Sequence, residues 1–287
     1  MANFKVKTIA LASAFALLLS CSKEPEDISI IKAYLPQGEP KAAFGERLPG
    51  GGLALAWQQS DKLTIIGNTT ELYAICDGFT AHKAEFAGKT VKGSSFTIIF
   101  PGDVYQTEAD ILSRSYDGQI QDGNASTSHL EWTAMLRNQG TFSHLDFSKA
   151  RQNGILAVSV ALPENSGEIS YLTIGEDSEV FYSTNDPDGP KVSELRLDFK
   201  NATIPEGNTT LEAFLMTSME DSILPAGSHV TITVGMKDGN TLKRKLPVPS
   251  GGLVLKGGKV NIIKIYQEMV GDLSSNLETF DFSDFIW

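Results

Sequence analysis

The stretch VTITVGMKDGNTLKRKL, residues 230–246, indicates the fold most directly. Two β-prone runs, at 230–236 and 241–246, flank the pair Asp238-Gly239. An Asp-Gly pair between two such runs is a strong signal for a β-hairpin. The triplet Lys243-Arg244-Lys245 lies in the second run, where alternation divides its side chains between the two faces of the strand. We therefore predict an antiparallel pair whose basic strand is a solvated edge rather than an anion site.

The β pattern continues on both sides of this hairpin. Leu195, Leu197 and Phe199 alternate with polar residues, which marks a strand with one buried face. Residues 131–136 suit either a strand or a helical turn, and no long amphipathic helix is evident. Regularly spaced short strands predict an all-β fold built from β-sandwiches. Further strands are predicted at 27–35, 53–57, 62–66, 71–75, 84–86, 95–100, 155–162, 169–174, 192–199, 211–216 and 260–267.

The length of 287 residues suggests two domains, at ~150 residues each. We place the boundary near residue 140, between an N-terminal β-sandwich domain at 48–140 and a C-terminal one at 141–287. Residues 21–47 precede them as a tether and an N-terminal strand. Cys76 ends a strand-like run and is predicted to be a buried, small apolar residue.

The first 20 residues have the features of a lipoprotein signal peptide. Two lysines precede an apolar run at 9–19, which is too short to span ~30 Å of hydrocarbon as a helix. Leu18-Leu19-Ser20-Cys21 then matches a bacterial lipobox, in which the Cys thiol is acylated and the chain is cut before it. We predict that lipidated Cys21 holds the protein at the outer membrane, facing the cell surface. The alternative is ordinary secretory cleavage near Ala14 or Ser20, with Cys21 incidental.

The charge balance argues against one class of partner. The net charge is −11, and without the first 20 residues, which hold two lysines and no acid, it is −13. Because phosphate binding needs a basic face, we expect no nucleic-acid partner.

Motifs for catalysis, cofactors and metals are missing from the sequence. Four histidines occur singly without HExxH or HxH spacing, and there is no GxSxG or Walker A motif. The oxygen-rich segment 185–189 (NDPDG) has an incomplete EF-hand pattern, so we predict a β-turn there rather than a Ca²⁺ site. We expect no catalytic residues, no metal site, no cofactor and no enzymatic activity.

Four segments of the chain follow one another in a recognisable order. In the first, Pro40–Phe44 precedes a Trp, a polar spacer, an Asp and an apolar strand at 55–65. Trp57 is predicted to be a core anchor and Asp61 to enter a turn. The other segments are 84–101, 142–158, and 224–227 with 255–261. Together, behind a lipobox, they resemble the fimbrillin family of Bacteroidetes, although Ser60 stands where that family usually has Gly.

The resemblance implies a structural role in a type V pilus, with two tandem transthyretin-like β-sandwich domains. In that family a surface protease cuts after a basic residue and removes the N-terminal strand, and a strand of another subunit fills the open groove. The candidate cleavage sites here are Arg47, the better match to an Arg-specific protease, and Lys41. Either could instead be a linker residue that is never cut. The segment 280–287 could be a donor strand or a last strand packed at home.

A surface glycan-binding lipoprotein of a carbohydrate-uptake system is the alternative function. Such a protein would use an exposed aromatic platform on a β-sandwich, and Trp132 and Trp287 are the candidate residues. Under either function, a host or glycan molecule is a candidate ligand.

Overall fold

A computed structural model of the protein describes residues 27–35, 40–41, 55–76, 80, 83–164, 166–204, 209–266 and 277–281. These residues form 23 strands, one short helix and a 3-10 turn. The strands β1 to β23 are, in order, Ile28–Tyr34, Pro40–Lys41, Leu55–Ala56, Lys62–Ile66, Thr70–Ile75, Lys83–Lys89, Ser95–Phe100, Gln119–Asp122, Ala134–Gln139, His144–Asp146, Arg151–Gln152, Gly154–Ala161, Ile169–Glu176, Phe181–Tyr182, Lys191–Val192, Glu194–Ala202, Thr210–Thr217, Ser222–Leu224, His229–Met236, Thr241–Pro247, Leu253–Leu255, Lys259–Ile265 and Leu277–Asp281. The helix α1 is Glu108–Leu112, and the 3-10 turn is Phe147–Lys149.

Three large sheets carry the architecture. The first has eight strands in the order β10-β1-β6-β5-β4-β7-β9-β11. The second has the four strands β17-β12-β22-β23, and the third has the five strands β20-β19-β13-β16-β8. The predicted all-β fold of packed sheets is confirmed.

The four-stranded sheet is the middle layer of the molecule. Ile155, Ala157 and Phe214 on one face belong to the core of the eight-stranded sheet. Leu156 and Leu215 on the opposite face belong to the core of the five-stranded sheet. A sheet covered on both faces needs apolar residues at consecutive positions, and its strands contain such runs. The two cores are therefore separated by a single sheet.

Chain segments cross between the two outer sheets. β8, at 119–122, pairs in parallel with β16 and so extends the five-stranded sheet. β10 and β11, after residue 140, extend the eight-stranded sheet instead. The domain boundary near residue 140 stays a prediction.

The opening hairpin forms as its sequence indicates. β19 and β20 pair from His229↔Pro247 to Gly235↔Thr241. Gly239 at the turn has φ +90°, a conformation that favours glycine, and its N–H donates to the Met236 carbonyl. β20 is an edge strand, and Lys243 and Lys245 on it are exposed. The predicted solvated basic edge is thus confirmed.

Among the residues described, none belongs to a helix long and apolar enough to cross a membrane.

Candidate functional site

The N-terminal strand β1 lies between two other strands of the eight-stranded sheet, and both of these strands are distant from it along the chain. It pairs antiparallel with β6 over seven residues, from Ile28↔Lys89 to Tyr34↔Lys83. On its other side it pairs in parallel with β10, from Lys32↔His144 to Tyr34↔Asp146. β1 therefore fills a gap between two strands that do not pair with each other.

The inner face of β1 is a complete part of the core. Ile31, Ala33 and Leu35 have exposed fractions of 2%, 0% and 3%. Burial of an Ile or Leu side chain contributes ~1.5–3 kcal/mol. We call the apolar trough that these three side chains fill the β1 groove.

The start of the β1 groove is polar. The Ser29 hydroxyl lies 2.7 Å from that of Thr90, and the Thr90 N–H donates to the Asp27 carbonyl at 2.8 Å. Opposite Ser29 is Gly88, where an added Cβ would lie 2.6 Å from the Tyr73 ring. Glycine at 88 thus leaves room for the Tyr73 ring against β6.

The outer face of β1 contributes little to holding it. Ile28 and Ile30 are 67% and 58% exposed. Lys32 forms an ion pair with Glu85 at 3.8 Å, and exposed pairs of this kind contribute ~0–1 kcal/mol. Tyr34 stacks on His144, with the ring centroids 6.0 Å apart. The strand is held mainly by its backbone pairing and by its inner face.

An aromatic cluster lies in the same core as the β1 groove. Trp57 packs edge-on against Phe86, Phe100, Trp132 and Phe147, at centroid distances of 5.1 to 6.1 Å. Trp57 is 1% exposed, so the predicted core anchor is confirmed.

Trp132 is not a platform for a glycan. It is fully buried, and its indole N–H donates to Gln152 Oε1 at 2.9 Å. The expectation of an exposed ring is wrong because this residue precedes β9 and faces the shared aromatic core. Trp287, the other candidate, lies outside the described residues.

The predicted processing residues follow β1 in the chain. Lys41 lies in β2, whose two residues pair in parallel with β3. Arg47 and the lipidation candidate Cys21 lie outside the described residues. Cleavage and lipidation stay predictions.

The C-terminal strand β23 pairs within its own chain. It lies antiparallel to β22, from Lys259↔Asp281 to Ile263↔Leu277, at an edge of the middle sheet. Lys264 Nζ lies 2.9 Å from a Glu278 carboxylate oxygen, and Leu277 packs against the core. Residues 282–287 lie outside the described part of the chain.

Cys76 is exposed, which corrects the prediction of a buried residue. Tyr73 and Ile75 on β5 face the core, so the period of two turns Ala74 and Cys76 outward. The thiol lies 3.3 Å from the Glu85 carbonyl.

The segment 185–189 forms the predicted turn, with the Gly189 N–H donating to the Asp186 carbonyl at 3.0 Å. Asn185 itself is buried and accepts from the Tyr116 hydroxyl at 2.7 Å and the Met219 N–H at 2.9 Å. Within the described ranges, no group of three or more His, Cys, Asp or Glu side chains is placed to hold a metal ion.

Asp61 enters β4 at a turn, as predicted. Its N–H donates to the Gln58 carbonyl and its carboxylate accepts from the Gln58 N–H at 2.7 Å. Burial raises the pKa of Asp61 to about 6, the Gln58 N–H opposes that rise, and the charge of Asp103 adds to it.

Polar side chains of β8 and its following turn close the free edge of β17, a feature that the sequence did not reveal. Gln119 accepts from the Met216 N–H at 2.7 Å and donates to the Met216 carbonyl at 3.0 Å. Gln121 accepts from the Phe214 N–H at 2.9 Å and donates to the Glu212 carbonyl at 2.8 Å. Asn124 continues the pattern, accepting from the Glu212 N–H and donating to the Thr210 carbonyl. We call this row of side chains the amide ladder.

The amide ladder takes the place of a neighbouring strand for β17. It satisfies backbone groups that would otherwise be exposed for pairing with another chain. It also joins the five-stranded sheet, through β8, to the middle sheet. Among the described strands, β17 is therefore a poor acceptor for an incoming strand.

Comparisons with known proteins give a set of structural neighbours. No protein-family model matches the chain, and no curated protein matches it. The chain is similar to the C-terminally truncated tip fimbrial protein Mfa3 of Porphyromonas gingivalis, at 9% identity and a TM-score of 0.45, over 90% of this chain and 100% of that one. A candidate cell adhesion protein of Bacteroides ovatus gives 14% identity and a TM-score of 0.45, over 88% and 96% of the two chains. The fimbrial anchor protein Mfa2 of Porphyromonas gingivalis gives 11% and 0.36, over 83% and 90%.

Proposed function

We propose that this chain is a structural or adhesive subunit of a cell-surface pilus. A lipid on Cys21 holds the uncut chain at the outer membrane, and after cleavage the chain joins other subunits by strand exchange at the β1 groove. It has no catalytic activity. The observation that carries this proposal is the position of β1, an inner strand supplied from the N-terminal end of the chain.

Removal of β1 creates a binding site for an extended strand. The facing edges of β6 and β10 lose their backbone partners, and the trough filled by Ile31, Ala33 and Leu35 opens. Main-chain hydrogen bonds then provide affinity, and alternate side chains provide fit. The incoming strand runs antiparallel to β6 and parallel to β10, as β1 does.

Cleavage after β1 converts a structural strand into an exchangeable one. A cut at Arg47 or Lys41 leaves β1 attached by non-covalent contacts alone. Its two larger inward side chains, Ile31 and Leu35, together contribute roughly 3–6 kcal/mol. The strand therefore stays seated after the cut until a competing strand replaces it.

The test uses the chain from residue 21 onward, treated with an Arg-specific protease. Mass spectrometry of the product locates the cut, and Arg47→Gln is the matched control. The cut chain is then incubated with a fluorescent peptide of residues 27–36. We expect a cut at Arg47 that the control lacks, followed by uptake of the peptide by the cut chain only. A cut chain that never takes up the peptide contradicts strand exchange.

Lipid attachment is tested separately. Cells that express the full chain are fed an alkyne-labelled fatty acid, and the protein is isolated and conjugated to a dye. We expect label on the wild-type chain and none on Cys21→Ala. Equal labelling of both chains contradicts the lipid anchor at Cys21.

A further inference from the structure

The middle of the β1 groove accommodates only a small side chain. Ala33 is completely buried, and its cross-strand neighbours Ala84 and Leu145 are 0% and 1% exposed. The three residues form one row across β6, β1 and β10. Because protein interiors are close-packed, a larger side chain at the position of Ala33 would have to displace this row.

The positions on either side of Ala33 are different. Ile31 is the cross-strand neighbour of Phe86, and Leu35 follows the last paired residue of β1. Both are branched and almost completely buried. The groove thus fits a large–small–large set of apolar side chains at alternate positions.

The outer side of the groove adds a charge preference. Lys32 lies between the inward positions 31 and 33 and is paired with Glu85. An acidic residue at this position would face a like charge, which is destabilising for directly opposed residues in a sheet.

The C-terminal residues of this chain do not have that pattern. In 277–287, LETFDFSDFIW, every choice of three alternate residues contains an aromatic residue or an aspartate. A small residue stands in the middle only at Thr279 and Ser283, and each is flanked by Asp281. Residues 277–281 are moreover already paired with β22.

We infer that the β1 groove accepts a partner strand in which a small apolar residue lies between two branched apolar residues, and that it rejects residues 277–287 of a second copy. This inference rests on the proposed strand exchange. It means that the donor strand for this groove is not residues 277–287 of a second copy.

The test uses the full chain from residue 21, in which a site for a sequence-specific protease is placed at 42–48. The chain is cut at this site, and β1 is left in place. Four fluorescent peptides compete for the groove. They are residues 27–36, the same peptide with Ala33→Phe, the same peptide with Ile30→Phe, and residues 277–287. Ile30→Phe is the matched control because Ile30 faces solvent.

We expect the native and Ile30→Phe peptides to bind within about threefold of each other. Ala33→Phe should bind at least about tenfold more weakly, because overpacking acts only at the inward position. Residues 277–287 should bind at least about a hundredfold more weakly, because any register buries an aspartate or an oversized ring.

Three results are contrary, and they differ in what they overturn. If no peptide binds, including the native one, strand exchange itself is wrong, and the inference falls with it. If Ala33→Phe binds as tightly as the native peptide, the groove is not selective although exchange stands. If residues 277–287 bind as tightly as the native peptide, these residues of a second copy are an adequate donor and the inferred rejection is wrong.

Discussion

Replacement of Gln121 by Leu tests whether the amide ladder stabilises the fold by taking the place of a strand beside β17. Gln121 is fully buried, and its side chain accepts from the Phe214 N–H and donates to the Glu212 and Gly123 carbonyls. Leu has a similar size and no polar atom. The Phe214 N–H then has no acceptor, whereas the Glu212 carbonyl still accepts from the Ala125 N–H.

The cost follows from these contacts. A buried donor left unsatisfied costs about 1–3 kcal/mol, and two hydrogen bonds to carbonyls are lost as well. We expect Gln121→Leu to lower the free energy of unfolding by about 2–4 kcal/mol, measured by urea denaturation. Gln139→Leu, at an exposed position on β9, is the control and should change stability by less than about 0.5 kcal/mol. Hydrogen exchange should accelerate at the Phe214 amide. Equal stability of the two variants would refute the idea that the ladder substitutes for a strand.

Three further predictions concern single positions. Ile31→Ala should destabilise the uncut chain by about 2–5 kcal/mol in urea denaturation, because it empties part of the core. Ile30→Ala, on the exposed face, should be nearly neutral. Equal destabilisation by the two substitutions would show that β1 has no buried face. Because the pKa of Asp61 is raised to about 6 in the folded chain, the folded state binds more protons than the unfolded state between about pH 4 and 6, and stability falls as pH rises through that window. Asp61→Asn should remove this decline, and an unchanged pH profile would contradict it. Cys76 should react with a maleimide in the folded protein, since it is exposed, and a thiol that reacts only after unfolding would contradict its placement.

The sequence predicted the strands whose burial alternates or whose apolar run is continuous. β4 and β7 have the predicted bounds, and β16 buries Leu195, Leu197 and Phe199 as expected. β1 was also predicted, at 27–35, and its buried residues Ile31, Ala33 and Leu35 recur with a period of two. These patterns depend on each strand's own residues, so local sequence is sufficient to find them.

The features that the sequence did not predict depend on distant partners. β8 buries Gln119 and Gln121 and exposes Ile120, the reverse of an ordinary amphipathic strand, because its buried face bonds to the backbone of β17. The exposure of Cys76 depends on the phase of β5, because a shift of one position moves a side chain to the other face of a strand. The burial of Trp132 depends on the aromatic core that it joins, which is formed by residues distant in the chain. The neighbours of β1 in the sheet are β6 and β10, and no local pattern specifies a pairing between such distant segments.

The most direct test of strand exchange is a cross-strand disulfide between an added strand and the cut chain. The chain from residue 21, with Cys21→Ala and Cys76→Ser, receives a cysteine at Ala87, the register partner of Ile30, or at Glu85, the partner of Lys32. A peptide of residues 27–36 with Ile30→Cys is added after cleavage at 42–48, and oxidation is followed by mass spectrometry. If an added strand takes the place of β1, residue 30 bonds to residue 87 and not to residue 85, since disulfide geometry permits only close Cα pairs. No disulfide, or equal bonding at both positions, would show that the groove does not accept a strand in the register of β1.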